Sequence, residues 1–169
     1  VLVIEDSLRE MIRQNRDELR FLEHVIVVHG AGKGGDLSFE TLLENQPKQL
    51  DCAPTSPDDA CFWLYSSGST GRPKGTVHLQ HDMRYAVETY GKQVLGIQEN
   101  DVCFSAAKLF FAYGLGNGLY FPFSVGATAV YLPGRPTPEA VYETIKTHGP
   151  TIFYGVPTLY SYLLEQNGG

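Results

Sequence analysis

Residues 65–78 read Tyr-Ser-Ser-Gly-Ser-Thr-Gly-Arg-Pro-Lys-Gly-Thr-Val-His, and the reading of the chain turns on them. Four hydroxyls (Ser66, Ser67, Ser69, Thr70), three glycines (Gly68, Gly71, Gly75) and Lys74 crowd into this segment. The apolar run Phe62-Trp63-Leu64-Tyr65 before it has the character of a buried strand, and a helical pattern follows from about Leu79. Strand, glycine-rich loop and helix together make an arrangement that holds phosphate. Glycines let backbone N–H groups approach an anion, and successive N–H groups form an anion-binding concavity. The hydroxyls add donors, and Lys74 adds a point charge for phosphate oxygens.

The segment is not a Walker A loop, which requires Gly-x-x-x-x-Gly-Lys followed by Ser or Thr. Here Pro73 precedes Lys74 and Gly75 follows it. Proline fixes φ and lacks an N–H, so Lys74 is not carried on the same backbone cradle. A solvated Ser/Gly turn is the ordinary reading of such composition. The ordered run of hydroxyls, glycines, proline and lysine favours a phosphate loop instead.

Tyr65–Gly75 resembles the phosphate-loop signature of the adenylate-forming superfamily, which includes acyl- and aryl-CoA synthetases, luciferases and peptide-synthetase adenylation domains. The stretches Val102–Gly118 and Thr151–Tyr160 are similar to its benzoate-CoA ligase branch, and the likeness to that branch runs from about Ala60 to Leu164. The resemblance implies a mostly parallel α/β sheet with flanking helices, part of a large N-terminal domain. It also implies activation of benzoate with ATP through an acyl-adenylate, then transfer to coenzyme A. By position in the motif, Ser66, Ser67, Gly68, Ser69, Thr70, Gly71 and Lys74 would hold the β- and γ-phosphates, with Lys74 catalytic and Mg²⁺ neutralising the remaining charge. Hydroxybenzoate or aminobenzoate activation and a non-catalytic nucleotide-binding scaffold are the alternatives.

A second constellation, Lys108-Leu-Phe-Phe-Ala-Tyr-Gly-Leu-Gly116, combines aromatics with glycines. A flat aromatic acid needs a narrow, largely apolar slot. Ala112 leaves space, Tyr113 offers a ring face and a hydroxyl, and Gly114 and Gly116 permit close backbone approach. Burial in the core is the usual fate of aromatics, and it accounts equally well for Phe110, Phe111 and Tyr113. The resemblance makes Ala112, Tyr113 and Gly114 acyl-pocket residues. Tyr154-Gly-Val-Pro-Thr158 ends a predicted strand, where open parallel sheets collect ligands. It reads equally as a helix entry with Pro157 at the first position, and the resemblance adds only an indirect role.

Charge and composition narrow the classes. A net charge of −6 opposes a nucleic-acid-binding role. Between residues 66 and 84, however, Arg72, Lys74 and Arg84 face only Asp82, whereas Asp51, Asp58 and Asp59 lie just upstream. Cys52, Cys61 and Cys103 are scattered, with neither Cys-x-x-Cys nor metal-ligand spacing, as expected of a reduced, cytoplasmic chain without a metal site. The five histidines show no ligand spacing, and His78 is expected to be solvated or capping. Leu109–Gly134 carries no charge and is long enough to span a bilayer, but its glycines and Pro122 break it, so no membrane span is expected.

Around these motifs, strands are expected at 2–4, 24–28, 102–105, 127–132 and 151–154. Helices are expected at about 8–20, 39–44, 85–93, 137–147 and 157–166. Ser7 and Glu10 fit a capping box. Gly30-Ala-Gly-Lys-Gly-Gly35 formally matches Gly-x-Gly-x-x-Gly, but no long helix opens there, so a turn is expected rather than a dinucleotide site. The organisation expected is a βαβ-like lead-in over 1–44, a linker over 45–59, and the phosphate loop and acyl-pocket region over 60–169. The superfamily's later motifs are absent and the chain lacks an initial Met. A piece without its C-terminal domain, inactive alone, is therefore expected.

Overall fold

The computed structural model describes residues 1–67 and 71–166. The chain divides into two compact units, Val1–Ala53 and Pro54–Gly169.

In the first unit, β1 (Leu2–Glu5), β2 (Val25–Val28) and the short β3 (Leu37–Ser38) form a parallel sheet in the order β1-β2-β3. Ile4, Val25 and Val27 are its buried core, with Leu2, Ile12 and Leu22 packed against them. The helix expected over 8–20 is shorter. α1 covers only Arg9–Gln14, with single 3₁₀ turns on either side. The capping box does not form either: the Glu5 carboxylate accepts from the Ser7 N–H, and α1 has no side-chain cap. The next helix, α2 (Phe39–Leu43), is capped by Ser38, whose hydroxyl accepts from the Thr41 N–H.

The glycine-rich turn after β2 wraps around an arginine. Arg9, only 9% exposed, donates from Nη1 to the Ala31 carbonyl at 3.1 Å and from Nη2 to the Lys33 carbonyl. Its Nε lies 2.7 Å from Asp36 Oδ2. A turn aimed to cradle an anion would point N–H groups inward; this one points carbonyls at a cation.

The second unit begins with an antiparallel hairpin, β4 (Ala60–Ser67) and β5 (Pro73–Leu79). Two of the expectations give way here. A second strand comes between the glycine-rich loop and the helix expected from about Leu79, which begins at Asp82; Pro73 opens that strand, a position where proline is tolerated. The strand before the loop is not buried, since Trp63 is 54% and Tyr65 73% exposed. Helix α3 (Asp82–Ala86) comes after β5 and continues as a π-helical segment, Val87–Leu95, ending at Gly96 with φ 64°.

The central sheet is parallel, ordered β7 (Thr128–Tyr131), β6 (Val102–Ser105), β8 (Ile152–Tyr154). Alternation along β6 sends successive residues to opposite faces. Cys103 packs with Val87, Ile97, Phe121, Ala127 and Tyr154. Phe104, with no exposed surface, packs with Val130, Val141, Leu159 and Leu163. Both faces are thus covered by helices, the normal condition of parallel strands. The apolar stretch from Leu109 divides into one helical run and β7. The run comprises α4 (Ala112–Leu115), a π-helical turn (Gly116–Tyr120) and α5 (Phe121–Val125). Among the described residues no helix is long and apolar enough to cross a membrane. The helix α6 (Pro138–His148) starts as expected, with the Thr137 hydroxyl accepting from the Ala140 N–H and Pro138 at the first position. The last helix is α7 (Pro157–Gln166).

Candidate functional site

The hairpin sorts the phosphate-loop residues by face. Directly paired residues of an antiparallel ladder project to the same side. Ser66 is opposite Lys74, and Leu64 opposite Thr76, on one face. Ser67 is opposite Pro73, Tyr65 opposite Gly75 and Trp63 opposite Val77 on the other. Ser66 and Lys74 are exposed cross-strand neighbours, so a hydroxyl donor and a cation converge from two strands. Gly71 has φ 77°, a backbone conformation that costs glycine little and a side chain more. Across the hairpin the Tyr65 ring covers Gly75, where a Cβ would come within 3.0 Å of it. Gly68, Ser69 and Thr70 lie outside the described residues.

At the base of the hairpin, histidines and carboxylates join β5 to α3. His78 stacks on Phe62 with ring centroids 4.8 Å apart, and its Nδ1 is 3.1 Å from Asp82 Oδ2. His81 lies 3.3 Å from both Asp58 and Asp82. Asp82 also accepts from the Leu79 N–H at 3.1 Å. That bond, with the His78 contact, holds its carboxyl below the usual aspartate range.

A cavity of about 420 Å³ opens at the carboxyl ends of the central strands. Lys108 and Phe111 border it after β6, Pro136 after β7, and Gly155 and Val156 after β8, with Tyr113 as a further wall. The Tyr113 hydroxyl donates to the Gly155 carbonyl at 3.2 Å, tying two segments 42 residues apart. Burial pushes the Tyr113 phenol up, so it remains a donor. The walls are almost wholly apolar, as a slot for a flat ring requires.

Tyr113 also borders a second, more open cavity of about 350 Å³ with Ala112, Tyr90 and Asn117. The structure thus brings Tyr113 to the strand-end cavity and puts Ala112 on the adjoining one. Gly114 is buried, and what its backbone approaches is the chain itself: a Cβ there would lie 2.0 Å from the Lys108 carbonyl oxygen. Phe110 and Phe111, 75% and 56% exposed, are not core residues.

The family model described as AMP-binding enzyme matches residues 1–169. The chain belongs to the AMP-binding enzyme family. Among AMP-binding relatives, it is 54% identical over 164 residues to the benzoate–CoA ligase of Thauera aromatica, covering 97% of this chain and 31% of that protein. It is 42% identical to the 4-hydroxybenzoate–CoA/benzoate–CoA ligase of Rhodopseudomonas palustris, covering 91% of this chain and 28% of that one. The crystal structure of an anthranilate CoA ligase in complex with anthranoyl-AMP superposes with a TM-score of 0.90 at 39% identity, covering 95% of this chain and 31% of that chain. The chain therefore spans less than a third of the length of these relatives.

Two features of this AMP-binding fold were not singled out from the sequence. Gly155 and Val156 border the strand-end cavity directly, where the sequence reads equally as a strand end that collects ligands and as a helix entry, with only an indirect role assigned. Lys108 borders it too. Its one advance signal is position, since it is the last charge before the uncharged stretch from Leu109 to Gly134.

Proposed function

We propose that this chain carries the phosphate-holding and acid-binding parts of an ATP-dependent aryl-CoA ligase, with benzoate as the acid. The observation that carries the reading is the pairing of an exposed Ser66–Lys74 couple at the hairpin with an apolar, Tyr113-walled cavity at the strand ends. The first suits a polyphosphate tail, the second a small aromatic ring. The relatives named above lend support through their own acids.

In the first step the carboxylate oxygen attacks the α-phosphorus of ATP. The new C–O–P linkage forms as the bond to pyrophosphate breaks. Charge accumulates on the departing pyrophosphate, and donors already aimed at that position lower the barrier without reorganising. Lys74 and Ser66 fill this role from one face of the hairpin, with Ser67, Gly68, Ser69, Thr70 and Gly71 supplying further contacts. In the second step coenzyme A, as thiolate, attacks the acyl carbon and AMP leaves with the bonding electrons. Among the described residues no cluster of three or more His, Cys, Asp or Glu is suited to hold a metal. Magnesium is therefore assigned no protein ligand, and neither step is routed through it.

The reading is tested by acid-dependent ATP–pyrophosphate exchange in the complete gene product, across benzoate, hydroxybenzoates, anthranilate and an aliphatic acid. Exchange stimulated most by benzoate is expected. Stimulation by the aliphatic acid alone, or by none of them, would overturn the assignment.

A further inference from the structure

We infer that Lys108 is a positioning residue of the acid-binding cavity, clasping backbone rather than pairing with the substrate carboxylate. This rests on the ligase reading above for the identity of the ligand, but not for the clasp itself. An isolated cation at the edge of an apolar cavity invites assignment as the counter-ion of an acid. Its bonds point elsewhere. Lys108 Nζ donates to the carbonyls of three consecutive residues: Leu132, Pro133 at 3.1 Å, and Gly134. An ammonium has three N–H donors and no more, so all are engaged.

The three carbonyls follow the last ladder pair of β6 and β7, Ser105 with Tyr131, where the strands stop supplying hydrogen bonds. A cation there satisfies carbonyls that the sheet no longer serves, through charge-assisted bonds stronger than neutral ones. Pro136, two residues past Gly134, forms part of the cavity wall. Lys108 is itself fixed from below. Its carbonyl accepts from the Phe111 N–H at 3.1 Å and lies against Gly114 so closely that no side chain fits between them. The segments leaving β6 and β7 are thereby joined at one ammonium, and the cavity takes its width from that joint. A substrate carboxylate approaching Nζ would have to displace one of the carbonyls.

The test compares Lys108→Met and Lys108→Arg in the complete gene product. It uses ATP–pyrophosphate exchange with benzoate, together with amide hydrogen exchange over residues 132–136. For Lys108→Met, loss of the charge-assisted bonds is expected to raise KM for benzoate about tenfold, with KM for ATP and kcat within about twofold. Faster amide exchange at Gly134 and Arg135 is expected alongside it. Lys108→Arg, which keeps the charge and several donors, should recover part of both effects, and it carries the test if the Met variant does not fold. Unchanged amide exchange would overturn the clasp, as would a loss confined to kcat. If the unaltered protein shows no acid-dependent exchange, the ligase reading fails on its own, and amide exchange alone then decides the clasp.

Discussion

Ser66 and Lys74 stand directly opposite each other on one face of the β4–β5 hairpin, while Ser67, the next residue along, projects from the other face beside Pro73. Adjacent serines in one motif are therefore expected to respond differently to substitution. Ser66→Ala is expected to slow acid-dependent ATP–pyrophosphate exchange by roughly 10- to 100-fold, the size of a lost hydrogen bond to a charged group. Ser67→Ala should stay within about threefold, being a surface change on the other face of the hairpin. Equal losses for the two would contradict the facial assignment.

Lys74→Ala removes the cation from the same face. A fall in exchange of about 10²–10³-fold is expected, comparable with deleting a preorganised transition-state donor. Lys74 is exposed, so the far-UV circular dichroism of the variant should match that of the parent. An undiminished exchange rate would remove Lys74 from the machinery.

Tyr113→Phe deletes the bond to the Gly155 carbonyl and little else. The net value of such a bond is about 1 kcal/mol, so KM for the acid should rise roughly fivefold with KM for ATP unchanged. A variant indistinguishable from the parent would mean that the bond does not set the cavity wall.

Gly114→Ala and Gly118→Ala separate a backbone clash from a side-chain contact. At Gly114 the new Cβ meets the Lys108 carbonyl at 2.0 Å, and that backbone is held by its own hydrogen bonds. At Gly118 it meets the ends of Leu109 and Tyr131 side chains at 3.2 and 3.3 Å, which can shift. Urea denaturation should show a loss of about 3 kcal/mol or more for Gly114→Ala and clearly less for Gly118→Ala. The reverse order would be incompatible with this packing.

Asp82 links stability to pH. Its carboxyl is held below the usual range, chiefly by the Leu79 N–H. The unfolded chain therefore takes up the proton first as pH falls. The contribution is fully present above the ordinary aspartate value and disappears as pH drops through the lowered native one, below about pH 4. Asp82→Asn should abolish this component. Acid unfolding of the parent and the variant, followed by fluorescence, should diverge near neutrality and converge in acid; parallel curves would show that the carboxylate charge contributes nothing.

The strands of the central sheet were legible because each is a short apolar run between turn signals, and α6 because Thr137, Pro138 and Glu139 spell out a helix start. The hairpin was not. Pro73-Lys-Gly-Thr-Val-His-Leu79 contains a proline, a glycine and little apolar alternation. It is a strand because β4 lies beside it, and pairing across space leaves no mark on local composition. The Ser7–Glu10 capping pattern failed for a related reason: Glu5 offered the Ser7 N–H a closer acceptor. Of the candidate site, the residues around Tyr113 read equally as core and as pocket, and only the family resemblance pointed Tyr113 toward a cavity. The cavity's other walls arrive from segments that meet only where parallel strands end, so Gly155 and Lys108 gain their positions from topology.

The π-helical turn at Gly116–Tyr120 fixes which position of the chain faces the strand-end cavity. It holds one residue more than an α-turn, and such a bulge behaves as a single-residue insertion. Removing one residue there would restore ordinary winding with the upstream helix still facing the same way, because the wider π-turn spreads nearly the same rotation over one more residue. Tyr113 would still reach Gly155, but from a position one residue nearer to Phe121 in the sequence. In a relative without the bulge, counting positions from a shared Phe121 would name the wrong side chains as cavity walls, offset by one.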